Sequence, residues 1–369
     1  MAVRGTMSFS PKFQITPALT QILMDIEASR QAVSTLPMTV QLLESLRESA
    51  RLTATHYSTQ IEGNRLTQEQ VGEVLHGGTF PNRERDEREV RNYYQALDYV
   101  DRLIKDGDVV ISENNIKTIH GLVMEGIDKP TSYRDGQNVI KDGSSGNIVY
   151  MPPEAKDVPK LMVNMMAWIN TQREQGTFPV PIIAAIAHYQ FATIHPYYDG
   201  NGRTARLLTN IILHKSGYGL KGIYSLEEYY ARNLQAYYDA LSIGDSHNYY
   251  YGRAEADITK WIVYFCEGMA DAFAQVRLKA SEAAKQAGQE EDQSSLLREL
   301  DQRQKQALSL FRESRFVTTR QLADLLKIHP RSTLNLCKKW IEEGFLIQHG
   351  TSNKTRKYEL ATKWIKLLS

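Results

Sequence analysis

The most constraining stretch of this sequence is Ile194-His195-Pro196-Tyr197-Tyr198-Asp199-Gly200-Asn201-Gly202-Arg203-Thr204-Ala205-Arg206. It reads as an apolar helix that runs into a histidine, then a Gly-rich loop, then a second helix opening with arginines. Each part suits phosphate chemistry. Successive backbone N–H groups of a Gly-containing loop at a helix N-terminus bind anionic oxygens. Arg203 and Arg206, three residues apart, share a helical face and can clamp a polyphosphate. Asp199 is a hard oxygen ligand suited to the Mg²⁺ that accompanies nucleotide triphosphates. His195 is the side chain here able to take a proton near neutral pH. A plain Gly-rich turn with surface arginines would not need all of these groups within twelve residues. A metal-hydrolase reading would use His188, His195 and Asp199, but the tight spacing of a His-Glu-x-x-His site is missing. Neither a Walker A loop nor a dinucleotide fingerprint occurs in the chain.

Composition narrows the classes. A chain of 369 residues has room for a large domain and a smaller one, and 42% hydrophobic with 24% charged residues is ordinary globular composition. Lys and Arg total 44 against 43 Asp and Glu, so no global field points to nucleic acid or membrane. Cys266 and Cys337 stand far apart, which argues for a reducing compartment and against a disulfide framework. The first residues lack an apolar leader and no run approaches about 18 apolar residues. The expectation is a cytoplasmic protein without a membrane partner.

Periodicity predicts a mostly α fold. Helices are expected from Pro17 to before Pro37, over 39–61 and, after the capping box Thr67-x-x-Gln70, to Gly77-Gly78. Others are expected from the charged run 83–91 to about 105 and from Ser112-Glu113 onward. Tyr133–Lys141 and Asn147–Met151, joined by Asp142–Gly146, read as a hairpin. Helices follow at about 155–174, 181–194 and 203–216, then from the box Ser225-x-x-Glu228 to about 242, and over 254–285. The polar stretch Ala287–Ser295 reads as a linker. Beyond it, helices near 296–313, 318–326 and 331–343 precede strands at 345–348 and 357–360, which is the winged-helix plan. Arg331, Ser332, Thr333, Asn335, Lys338, Lys339, Lys354, Arg356 and Lys357 could contact phosphates there, or the module could dock a protein.

His195 to Arg206 resembles the active-site signature of the Fic family, His-x-Phe-x-Asp/Glu-Gly-Asn-Gly-Arg-x-x-Arg, with Tyr197 where Phe is usual. The resemblance implies a Fic-type helical bundle with a hairpin flap, and transfer of AMP from ATP to a Ser, Thr or Tyr hydroxyl of a protein, releasing diphosphate. His195 would be the base and Asp199 the Mg²⁺ ligand. Gly200, Asn201, Gly202, Arg203, Thr204, Ala205 and Arg206 would hold the phosphates, with Arg206 on the γ-phosphate. Ser58-Thr59-Gln60-Ile61-Glu62-Gly63 is similar to the family's inhibitory pattern, in which Glu62 pairs with Arg206; in some members the same glutamate supports removal of AMP. The expected domains are 1–105 with an inhibitory helix at about 45–62, a catalytic core at 106–286 and a winged helix at 295–369. In the flap, 134–151, Asn138, Val139, Ile140 and Lys141 would meet a target protein. Tyr229, Tyr230, Tyr237 and Tyr238 share the next helix, and the Tyr237-Tyr238 pair would face the adenine. Self-modification and a homodimer are compatible with the resemblance. A second reading makes the chain a winged-helix DNA-binding regulator whose Fic fold senses nucleotide, and other phosphate-containing donors form a third.

Overall fold

The computed structural model describes residues 9–105, 110–141, 146–244, 246–289, 293–350, 356–365 and 367–368. The chain divides into two compact units, Met1–Ala283 and Ala284–Ser369.

The first unit is built around an apolar helix. Helices α1 (Pro17–Thr35) and α2 (Val40–Ile61) are capped by the hydroxyls of Thr16 and Thr39. The Thr67–Gln70 capping box opens α3 (Gln68–Leu75). In α4 (Glu84–Lys105) Glu84, Asp86 and Glu87 lie in the first turn and Arg102 and Lys105 in the last, charges that match the helix dipole. Then come α5 (Glu113–Glu125), β1 (Ile140–Lys141), β2 (Ile148–Tyr150) and α6 (Val158–Gln175). Of the 15 residues in α7 (Val180–Ile194), 13 are buried, so it has no solvent face and the other helices close around it. It packs against α6 and against α8 (Asn201–Lys215), and α8 in turn meets α4 and α5. Trp261, on the helix that closes this unit, donates from Nε1 to Ala185 O of α7 at 2.7 Å. Side chains of α1 and α4 (Leu19, Ile26, Val33, Tyr93) belong to the same core as α7.

Three expected helices differ in extent. The stretch 225–242 is two helices, α9 (Glu227–Arg232) and α10 (Leu234–Leu241), broken at Asn233. Asn233 leaves helical geometry because its side chain caps α10, accepting from Ala236 N at 3.1 Å. No Ser225 cap forms; its hydroxyl donates to Glu227 instead. The long helix α11 begins at Thr259 rather than near 254, capped by Asp257, and runs to Gln289. Residues 293–313 form α12 (Gln293–Glu299) and α13 (Gln302–Glu313), because Asp301 and Gln304 make an unanticipated capping box. The expected linker 287–295 is therefore helical at both ends, and its residues 290–292 lie outside the described ones.

The hairpin is shorter than expected, with Ile140 opposite Tyr150 and Lys141 opposite Ile148. Its lead-in is diverted: Arg134 N bonds to Pro196 O and Gly136 N to the Tyr198 hydroxyl, so residues before 140 pair with the His195 loop instead. Of the predicted turn Asp142–Gly146, residues 142–145 lie outside the described residues. In the second unit, α14 (Thr319–Leu326) and α15 (Pro330–Glu342) join α13 around Phe311, Leu322, Trp340 and Phe345. Strands β3 (Leu346–His349) and β4 (Lys357–Leu360) pair antiparallel, Val317 bridges to Tyr358, and α16 (Thr362–Ile365) follows.

His188 sits in the middle of α7, 0% exposed. Burial, with a smaller push from Arg206, drives its pKa down to about 3, well below the ordinary value. The folded chain therefore refuses a proton that the unfolded chain accepts near pH 6.5, so stability present above pH 6.5 drains away toward pH 3. Replacing His188 with Gln should remove one such proton and flatten the stability–pH slope by up to about 1.4 kcal/mol per pH unit in that window. Urea midpoints between pH 4 and 7 measure this; parallel slopes for the two proteins would refute it.

Candidate functional site

His195 ends α7 in the left-handed conformation, φ 51° and ψ 60°, which is uncommon for a residue with a Cβ. The turn is clamped by Arg134, 4% exposed, whose Nε donates to His195 O at 2.9 Å and whose backbone N donates to Pro196 O at 2.9 Å. The Arg134 guanidinium also donates to Gly136 O and Pro153 O. His195 is half-buried, and that burial lowers its pKa to about 4. It is therefore neutral near pH 7, the form that accepts a proton.

The loop beyond is tied by Asn201, whose amide accepts from Tyr197 N (3.0 Å) and donates to Tyr197 O (2.9 Å). Gly200, at φ 76°, is doubly required, because a Cβ there would also lie 2.6 Å from Met124 Sδ. Since α8 begins at Asn201, the amides of Asn201, Gly202 and Arg203 precede the first carbonyl four residues back inside the helix. Arg203, 2% exposed, places Nη2 3.4 Å from Asp199 Oδ1, while its Nε is buried with no hydrogen-bond partner. The Asp199 side chain is 60% exposed.

Arg206 meets α2. Its Nε donates to Ser58 Oγ at 2.8 Å, and its Nη2 donates to Ser58 O and to Glu62 Oε1, each at 2.9 Å. The Ser58 carbonyl is available because the end of α2 tightens: Glu62 N bonds to Thr59 O, and Gly63 turns away at φ 92°. Arg206 Nη1 is buried and has no hydrogen-bond partner. Two buried guanidinium N–H groups without partners thus flank one helix N-terminus, an arrangement suited to an anionic ligand with several oxygens.

Residues 110–213 match the family model described as the Fic/DOC family. Over that stretch the chain is similar to Fic domains. Protein adenylyltransferase Fic of Drosophila yakuba is 29% identical over 199 residues, 53% of this chain and 39% of that protein. The chain thus matches about two fifths of the length of these curated relatives. In fold it is similar to a Fic family protein from Desulfovibrio desulfuricans, with TM-score 0.60 and 24% identity over 96% of this chain and 99% of that one. A Fic domain containing signaling protein from Bacteroides thetaiotaomicron has TM-score 0.60 at 23% identity, covering 72% of this chain and 97% of that one.

The predicted site residues divide. Thr204 and Ala205 are buried at 0%, and the Thr204 N–H and hydroxyl both return to Gly200 O, so neither side chain opens toward a ligand. The tyrosine pair separates: Tyr237 is 2% exposed with its hydroxyl 2.9 Å from His188 Nε2, whereas Tyr238 is 45% exposed. His188 is thereby a core residue remote in role from His195 and Asp199. Among the described residues, no three His, Cys, Asp or Glu side chains gather as a metal site. Asn138 reaches Tyr197 O at 3.4 Å, Val139 and Ile140 are half-buried, and Lys141 is exposed. On α15, Arg331, Ser332, Asn335, Lys338 and Lys339 are exposed and Thr333 is buried; Lys354 lies outside the described residues.

Nothing in the sequence pattern singles out Arg134 or His120. His120 stacks on Tyr197 at 3.5 Å and 6° and donates from Nε2 to Asp199 O at 3.0 Å, which fixes the loop from below. It stays neutral, its pKa held near about 4 chiefly by burial. Tyr197 keeps the ring expected at its position, but its hydroxyl is buried and makes no well-formed hydrogen bond, with the Thr131 hydroxyl as a polar neighbour. Removing that hydroxyl in Tyr197→Phe should leave stability unchanged or raise it by about 1 kcal/mol. A thermal melt checks this, and a loss of about 1 kcal/mol or more would show that the hydroxyl is bonded.

Proposed function

We propose that the chain is a protein adenylyltransferase, moving AMP from ATP to a Ser, Thr or Tyr hydroxyl of a protein, itself included, and that Glu62 restrains it. The observation that carries this reading is Arg206, gripped by Glu62 and Ser58 at the mouth of a phosphate-shaped loop.

The residues divide the work as follows. Neutral His195 takes the proton of the attacking hydroxyl as its oxygen bonds to the α-phosphorus, a role typically worth about 10²–10⁴ in rate. The bond from that phosphorus to the bridging oxygen breaks, and diphosphate leaves with its electron pair. The amides at the start of α8, with Arg203, stabilise charge on the phosphate oxygens. Arg206 holds the γ-phosphate and so aligns the α-phosphate for in-line attack. The exposed carboxylate of Asp199 fits a Mg²⁺ shared with the phosphates, which would neutralise charge as the P–O bond breaks. An Arg206 engaged by Glu62 cannot grip the γ-phosphate, so ATP bound beside it lies out of line. A protein target would add along the β1–β2 edge.

Glu62→Gly should raise self-labelling at least about tenfold, the loss of a competing charge pair, and His195→Ala should abolish it. Mass spectrometry of both variants after incubation with ATP and Mg²⁺ reads the added AMP and the residue bearing it. Equal labelling of wild type and Glu62→Gly would remove the restraint from the proposal, and labelling of His195→Ala would remove the base.

The second unit we read as a winged helix. The exposed polar face of α15, carrying Arg331, Asn335, Lys338 and Lys339, suits phosphate contact. Full-length protein should then bind duplex DNA at low salt and release it steeply as salt rises. No binding at low salt would favour a protein-docking role.

A further inference from the structure

Helix α7 stops where the proposed base begins, and the last carbonyls of any helix have no partner within it. Side chains from both flanks of the hairpin take them here. Tyr150, the last residue of β2 and 7% exposed, donates its hydroxyl to Thr193 O at 2.7 Å. Arg134, ahead of β1, donates from Nε to His195 O at 2.9 Å. The same guanidinium reaches Gly136 O at 3.0 Å and Pro153 O, one on each side of the hairpin.

A buried cation is expensive, and Arg134 is 4% exposed. Its place at the C-terminus of a 15-residue helix offsets part of that cost, since the helix dipole favours positive charge there. Shape matters as well. A planar fork can bond carbonyls from separate segments at once, which a Lys ammonium does less well. Burial leads in holding His195 below its ordinary pKa, and the Arg134 charge adds to it. The phosphate amides and arginines, by contrast, belong to α8 and do not depend on these bonds.

We infer that Arg134 and Tyr150 are positioning residues for His195, making the hairpin the C-terminal cap of the helix that carries the base. The inference rests on the adenylyl-transfer reading. Both side chains act through the carbonyls that fix where α7 stops and how His195 leaves it. A segment docked on the hairpin and the base that serves it therefore share one frame. Loosening this cap slows transfer without weakening the hold on ATP.

The test uses full-length protein in the Glu62→Gly background, with Arg134→Gln, Arg134→Lys and Tyr150→Phe added singly. Self-labelling with ATP and Mg²⁺ is the first readout. Arg134→Gln should lower the limiting rate at least about tenfold, while the ATP concentration giving half that rate changes less than about threefold. Tyr150→Phe removes one hydroxyl and should lower the rate about threefold in the same pattern. Arg134→Lys keeps a charge at the helix end and should recover part of the loss. Histidine titration by NMR is the second readout, with the signal lost in His195→Ala giving the assignment. The His195 pKa should rise in Arg134→Gln, less in Arg134→Lys, and stay put in Tyr150→Phe. Should Arg134→Gln not fold, Arg134→Lys and Tyr150→Phe carry both readouts. Unchanged limiting rates in the folded variants, or rates that fall only as the ATP requirement rises, would overturn the inference. If Glu62→Gly itself transfers no AMP and matches His195→Ala, the adenylyl-transfer reading fails. The titrations then still decide whether Arg134 acts on His195, and an unshifted His195 in folded Arg134→Gln would show that it does not.

Discussion

The structure depends on keeping one guanidinium charged where water cannot reach it. The Arg206 side chain is 1% exposed, and burial alone would pull its pKa down. Glu62, Tyr237 and Tyr93 outweigh that pull and leave the pKa raised, so the charge is permanent. A permanent buried charge dictates its surroundings. Helix α2 must run beside α8 to bring Ser58 within reach, and its last turn must tighten so that one carbonyl is free to accept. Replacing Arg206 with Lys would keep the charge and lose the fork that serves Ser58 and Glu62 together.

A second constraint sits at the other end of the loop. His195 occupies a left-handed conformation that most residues avoid, and such strain persists where neighbours over-determine it. Arg134 supplies that determination by bonding successive carbonyls of the turn. The same bonds commit the chain before β1, which is why the hairpin pairs over so few residues. The hairpin is therefore anchored to the loop that carries the histidine. A segment docking on its edge would meet a surface already in register with the His195 turn.

How much of this was legible in the sequence depends on distance along the chain. The loop from His195 to Arg206 is local, so its glycines, carboxylate and arginines could be read directly, and the helical periodicity gave the mostly α architecture. Some local signals were misread, among them the Ser225 box, which does not cap a helix. Asn233 and Asp301 break expected helices because their side chains cap the helix that follows, a competition that periodicity does not report. The pairing of Glu62 with Arg206 spans 144 residues and came from resemblance, not from pattern. His120 and Arg134 carried no signal at all. Each is polar and buried, and its partners come from elements that only tertiary packing brings together.

The two glycines of the loop show how closely the proposed restraint and the proposed site are joined. Gly200 is required by its backbone, at φ 76°. Gly202 lies in ordinary helix, and its requirement is spatial: a Cβ would stand 2.5 Å from Glu62 Oε1 and 3.1 Å from Arg206 Nη1. The gap left by that missing Cβ is filled by a carboxylate oxygen at the N-terminus of α8. Phosphate oxygens favour the same position, since the helix dipole and the free amides attract any anion there. Glu62 thus stands where an anionic ligand would stand and satisfies the same arginine. Under the proposed reading the restraint is direct competition for one charge and one space, and it requires no change of shape elsewhere in the domain.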